Sequence, residues 1–139
     1  MKELKARWQT LRAGGPIPGY DHFRPETMWD VVGAVMLVTV ETRDPPLFRF
    51  RLYGSGHASI YGQDMTGKTV QDFGSPDLVE LVQRDYETAL REPRAYCHVI
   101  TLDNGKRKMV YDRLILPLAE DGKTIDTLFV VSRDPQIPF

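Results

Sequence analysis

Apolar Phe48, Phe50 and Leu52 alternate with Arg49, Arg51 and Tyr53, the period of an extended strand with one face on a core and the other in water. Gly54 and Gly56 end that run. Ala58, Ile60 and Tyr61, closed by Gly62, fit about two turns of helix, and the phrase GQDMTGKTVQDF repeats the arrangement around Gly67. Upstream, residues 34–42 are apolar and β-branched, and residues 43–46 (RDPP) form a turn cluster. The two strands therefore read as a hairpin. The longest apolar run, residues 31–40, is about half of what a membrane-spanning helix needs, so it reads as a core segment.

Elsewhere the period is helical. Leu4, Trp8 and Leu11 stand at i, i+4 and i+7 before Gly14, Gly15 and Pro16, which places a leading amphipathic helix over residues 2–12. Residues 14–25, rich in proline and glycine, read as an ordered connector. Pro25 suits the first turn of a short helix running to about Val32, with Gly33 after it. Ser75 then Pro76 form a cap and first-turn pair for a long helix whose stripe is Leu78, Leu81, Val82, Tyr86, Ala89 and Leu90.

Past Pro93 the pattern turns extended again. The runs AYCHVITL and KRKMVYDRLILPL flank Asp103, Asn104 and Gly105, and an Asn-Gly step between strands signals a hairpin. Taken as a two-residue loop, it pairs Asp103 with Lys106 and sets His98 opposite Tyr111 on one face. A last strand over residues 125–132 follows the turn AEDGK, where Gly122 supplies positive φ. One helix, two strands, several helices and three consecutive strands make an α+β plan with an antiparallel sheet, since a doubly wound fold would alternate strands and helices singly.

The 139 residues suit one domain, and 42% hydrophobic with 27% charged residues is ordinary for a soluble globule. The formal charge of -1 gives no electrostatic ground for nucleic acid or an anionic membrane. Cys97 is the sole cysteine, so no internal disulfide forms, and MKELKARWQT is too charged for a signal peptide. A reducing, cytoplasmic setting is the expectation.

The stretch FRFRLYGSGHASIYGQDMTGKTVQDF, with PIPGYDHFRPETM before it and LPLAEDGKTIDTLFVV near the end, resembles the PAS domain, and more narrowly the short bacterial proteins that consist of little else. The resemblance runs from about residue 28 to 134, with residues 1–27 a helix and connector before it and 135–139 a tail. It implies a five-stranded antiparallel sheet with helices over one face, an N-terminal helix outside the core, and an apolar cavity. It also implies a sensory or interaction role rather than catalysis. The flavin-photoreceptor subclass carries an Asn-Cys-Arg-Phe run after the second strand. Residues 55–73 hold no cysteine, which excludes a flavin adduct. Haem sensors of this family take an axial histidine from the long helix, and residues 75–92 hold none. Haem is not expected, with His57 and His98 the remaining candidate ligands, and no other cofactor is implied.

The chemistry-bearing residues are sparse. His22, His57 and His98 form no pair at metal-ligand spacing, and Cys97 and His98 point to opposite faces of their strand. No metal is expected. His98, with Tyr96, Ile100 and Leu102, reads as a core or cavity-lining histidine, and Cys97 as a small structural hydrophobe. Gly54-Ser55-Gly56 fails as a dinucleotide fingerprint because Ser59 holds the third glycine position and no parallel βαβ unit surrounds it. For Asp112 and Arg113 the pattern does not decide which side is core. A ligand anchor and a cross-strand ion pair on the solvent face both fit, the second being the commoner arrangement, and Arg49 and Arg51 read as the solvated face of their strand. No paired carboxylates or Ser/His/Asp set stand out.

Two functions follow. One is a sensory module that binds a small apolar or amphipathic molecule and signals, through its flanking helix, to a separate partner protein, because the chain has no room for an output domain. The other is a dimerisation or docking module with a packed core and no ligand. A ligand would meet Phe50, Leu52, Ile60, Tyr61, Met65, Val82 and Tyr86, with His98 and Tyr111 as a polar pole. The stripe Leu4, Trp8 and Leu11 needs cover, for which a second copy is the expectation, making the protein a homodimer.

Overall fold

The computed structural model describes residues 2–28, 32–56, 63–103 and 108–133. The hairpin of β1 (Val35–Arg43) and β2 (Pro46–Tyr53) turns through a cis Asp44–Pro45 bond. Three further strands, β3 (Tyr96–Asp103), β4 (Lys108–Leu118) and β5 (Thr127–Arg133), follow in succession. All pair antiparallel in the order β2-β1-β5-β4-β3. The α+β plan therefore stands as a five-stranded PAS-like sheet.

The long helix is α2 (Pro76–Arg91), and the reason it starts where it does is local. Ser75 Oγ accepts a hydrogen bond from the Leu78 amide at 3.3 Å, and Pro76 occupies the first turn, where its missing N–H costs nothing. Val82, Tyr86 and Ala89 of its stripe are buried against the sheet. Tyr86 meets Phe48 edge-on at 5.4 Å between ring centroids, a favoured geometry for aromatic rings. Two expected short helices are smaller than the pattern implied. A 3₁₀ turn at Pro25–Thr27 and another at Val32–Ala34 stand where one helix from Pro25 to Val32 was expected. The second glycine-bounded segment contracts to a 3₁₀ turn, Val70–Asp72, capped reciprocally by Thr69 and Asp72. Ala58, Ile60, Tyr61 and Gly62, where about two turns of helix were expected, lie outside the described residues.

Both faces of the sheet are covered. Leu37 pairs with Phe129, and Phe129 meets Phe23 of the connector at 5.8 Å. The N-terminal helix α1 (Lys2–Ala13) lies over that same face, with Leu4 and Trp8 buried and the Trp8 indole N–H donating to the Pro117 carbonyl at 2.7 Å. The stripe on α1 thus finds its cover within the chain, and a second copy is not needed to bury it. Two-sided burial also explains why Val35, Met36, Leu37 and Val38 form an unbroken buried run instead of alternating.

Two register details differ from the expectation. The pairing shifts by one residue between Leu37/Leu52 and Val38/Phe50, a bulge at Arg51 that turns the strand's side chains over. Tyr53 therefore continues the face of Phe48 and Phe50, in ring contact with Phe50 at 5.3 Å. Leu52, opposite Leu37, goes to the α1 side. In the β3–β4 hairpin His98 opposes Arg113 and Tyr111 opposes Ile100. The last pair is Asp103 with Lys108, so four positions, 104–107, separate the strands rather than the two of a tight Asn-Gly loop. That slip of two keeps every side chain on its expected face but separates His98 from Tyr111 by one pair.

A ligand-sized cavity between α2 and the sheet

The face of the sheet under α2 carries Met36, Tyr53, Val130, Ser132, Tyr111 and Arg113 at or near one end. There the helix and sheet stand apart, leaving a cavity of about 290 Å³. Among the described residues, Leu78, Val82 and Tyr86 of α2 form its roof, Met65 and Phe73 its side, and Gln63, Gly74 and Ser75 a further wall. A second concavity, about 500 Å³, is an open groove along the outer side of α2 bounded by Gln71, Glu80, Arg84 and Glu87. That groove is shallow and charged, whereas the cavity penetrates the core.

The polar pole of the cavity is Arg113. It lies on β4 directly opposite Ser132 of β5, and both are almost wholly buried, at 3% and 1% exposure. The guanidinium Nη2 donates to the Asp85 carboxylate of α2 and lies 3.1 Å from His98 Nδ1. Because guanidinium only donates, His98 Nδ1 must accept, which assigns the proton to Nε2 and makes the ring neutral. Burial, and then the neighbouring Arg113 charge, hold the His98 pKa below its ordinary value, in keeping with that neutral form. Arg113 Nε and Ser132 Oγ are buried with no hydrogen-bond partner among the described residues. Burial also raises the phenol pKa values of Tyr53 and Tyr86, so both rings enter the site as neutral hydroxyls.

Of the residues singled out in the sequence, Met65, Val82, Tyr86 and Tyr111 line the cavity. Phe50 is fully buried beside it, packed on Tyr53 and Phe73, and Leu52 is on the opposite face because of the bulge. His98 acts one step back, as the acceptor that holds Arg113. Ile60 and Tyr61 lie outside the described residues. For Arg113 the solvent-facing ion pair gives way to a buried one. Its carboxylate partner comes from the helix, while Asp112 faces water on the other side of the strand. Arg49 keeps the expected solvated position, paired with Glu41. Ser132 and Asp85 were not singled out. Their only signals were a hydroxyl near the end of an apolar strand and an acid flanking Tyr86.

Gly54 positions this end of the sheet in an unforeseen way. A Cβ there would sit 2.7 Å from the Gly33 carbonyl carbon and 3.0 Å from the Val35 carbonyl oxygen, so the chain crosses itself where only glycine fits. Gly122, at φ 80°, is the positive-φ turn residue expected. Among the described residues no group of three or more His, Cys, Asp and Glu is placed to hold a metal ion. No helix among them is long and apolar enough to cross a membrane.

The family model for the PAS fold matches residues 52–137. No curated protein matches the chain. Among solved structures, the PAS domain of a protein from Colwellia psychrerythraea is similar at 14% identity and TM-score 0.52, covering 84% of this chain and 98% of that one. A light-oxygen-voltage domain studied with a flavin analogue is similar at 13% identity and TM-score 0.51, covering 78% and 79%. A variant of RsLOV is similar at 13% identity and TM-score 0.53, covering 83% and 68%. The likeness is one of fold. Cys97, the sole cysteine, is exposed on β3 and does not line the cavity.

Proposed function

The chain belongs to the PAS fold family, and on that premise we propose that it is a sensory module taking a small amphipathic molecule into the cavity between α2 and the sheet and passing its occupancy to a separate partner protein. The observation that carries this reading is the cavity itself. Protein interiors pack as densely as organic crystals, and about 290 Å³ corresponds to roughly ten water volumes at the liquid share of about 30 Å³ each. A docking module with a filled core has no use for such a space. The volume sits at the lower end of small-molecule sites, and the lining is mostly apolar with a few placed polar groups.

A route for the signal runs along β4. That strand carries Tyr111 and Arg113 on the cavity side and, further on, Pro117, whose carbonyl is held by Trp8 of α1. A shift of β4 on occupancy therefore moves the seat of the N-terminal helix. Thermal-shift measurements with quinones, indoles, fatty acids and flavins test the reading, alongside the cavity-filling variant Val82→Trp. At least one class should raise the melting temperature of the wild type and not of the variant, because a molecule that binds only the native state stabilises it by mass action. Stabilisation by none of them favours the packed interaction module.

A further inference from the structure

The two unpartnered atoms at the pole specify the chemistry of the occupant. We propose that the cavity takes an uncharged, single-ring molecule bearing a carbonyl oxygen, which accepts hydrogen bonds from Arg113 Nε–H and Ser132 Oγ–H together. The proposal rests on the cavity being a ligand site, and it adds which ligand.

Both side chains are more than nine-tenths buried, line the same cavity and oppose one another on neighbouring strands. Arg113 Nε can only donate. The Ser132 hydroxyl, on the residue paired with Arg113, can rotate and donate as well, and a carbonyl oxygen has two lone pairs to receive both. Leaving such donors bare in a core is costly, more so for a charged one, so an acceptor placed there removes that cost. An amine or other pure donor could be received by Ser132 Oγ but would leave the Arg113 Nε–H bare.

Charge decides between a ketone-like oxygen and a carboxylate. Arg113 is already neutralised by Asp85, and His98 accepts as a neutral ring. An ionised carboxylate would bring one uncompensated negative charge into the core, where desolvation is expensive. A neutral carbonyl adds none. Size sets the remainder: a space of about ten water volumes holds one ring with a short substituent and excludes a long acyl chain. Met36, Met65, Leu78, Val82 and Val130 supply the apolar surface for the ring.

The test is a titration of the full chain, followed by NMR, with three probes of near-equal shape: acetophenone, α-methylstyrene, in which a methylene replaces the carbonyl oxygen, and benzoate. Acetophenone should bind about tenfold more tightly than α-methylstyrene, the worth of one charge-assisted hydrogen bond, and benzoate more weakly than acetophenone. In Arg113→Lys, which keeps a cation for Asp85 but removes the Nε donor, and in Ser132→Ala, the preference for acetophenone should shrink severalfold while α-methylstyrene binds as before. Equal binding of acetophenone and α-methylstyrene overturns the carbonyl pole and leaves the cavity reading intact. Tighter binding of benzoate overturns the uncharged class. Binding of none of the three, or binding with shifts confined to the outer groove beside Glu80 and Glu87, overturns the pole and the cavity reading together.

Discussion

Replacing Asp85 by leucine should be the most damaging conservative-volume change on α2, and the reason lies in what it strands. Arg113 keeps 4% side-chain exposure and Asp85 15%, so removing the acid leaves a guanidinium charge in the core with only a neutral histidine to face. Breaking a buried pair from one side costs about 3–5 kcal/mol. At roughly 3–4 °C per kcal/mol for a chain of this length, the melting temperature should drop by roughly 10–20 °C. Arg113→Met should cost less, because the Asp85 carboxylate sits nearer water and has Arg84 at 3.6 Å. The double variant Asp85→Leu with Arg113→Met, which removes both charges, should recover most of the loss, since replacing a whole buried pair by apolar groups is close to neutral or stabilising. Urea denaturation of the four proteins, with equal m-values as the control for two-state behaviour, gives the cycle. A loss below about 1 kcal/mol for Asp85→Leu, the range of exposed pairs, or a double variant no more stable than the worse single one, would refute the buried, mutually dependent pair.

Trp8→Ala should destabilise the chain by about 3–5 kcal/mol, the usual cost of truncating a buried tryptophan, at all protein concentrations; a loss that appears only on dilution would return α1 to an intermolecular role. His98 should make stability pH-dependent. It is neutral between Arg113, Asp85 and Arg84 with its pKa lowered by burial first, so the unfolded chain takes up a proton before the folded one does. Stability is then full above about pH 6.5 and falls as pH drops from there through the lower folded value. His98→Gln should flatten that slope in a series of thermal melts from pH 8 to 5. Gly54→Ala should cost more than the few tenths expected of an exposed site, because its methyl meets the Gly33 and Val35 backbone; soluble expression with an unchanged melting temperature would contradict that crossing. Blue light should produce no cysteinyl-flavin absorbance change, even with added flavin, as no cysteine faces the cavity among the described residues.

Period and punctuation carried most of the architecture. The stripe Leu4, Trp8 and Leu11, the Ser75–Pro76 start of α2 and the three consecutive strands after Pro93 are local signals, and each element forms close to where its signal stands. What failed to show depends on contacts far apart in sequence. A bulge inserts one residue without a compositional mark, so Leu52 and Tyr53 exchanged faces unseen. The Asn-Gly step marked the hairpin but not how many residues separate its last pair, which moved His98 from Tyr111 to Arg113. The anchor itself was ambiguous for the same reason: the acid that makes Arg113 a buried residue is 28 positions away on α2. A stripe of apolar residues on α1 says that cover is needed but not who provides it, and the chain's own sheet does.

Occupancy of the cavity is the claim on which the rest depends, and intermolecular nuclear Overhauser effects between acetophenone and the full chain measure it directly. The account predicts contacts from the probe's ring protons to the methyl groups of Met65, Val82 and Val130, which share the cavity. Contacts only to Val79 in the open groove on the other side of α2, or none at all at saturating probe, would contradict it.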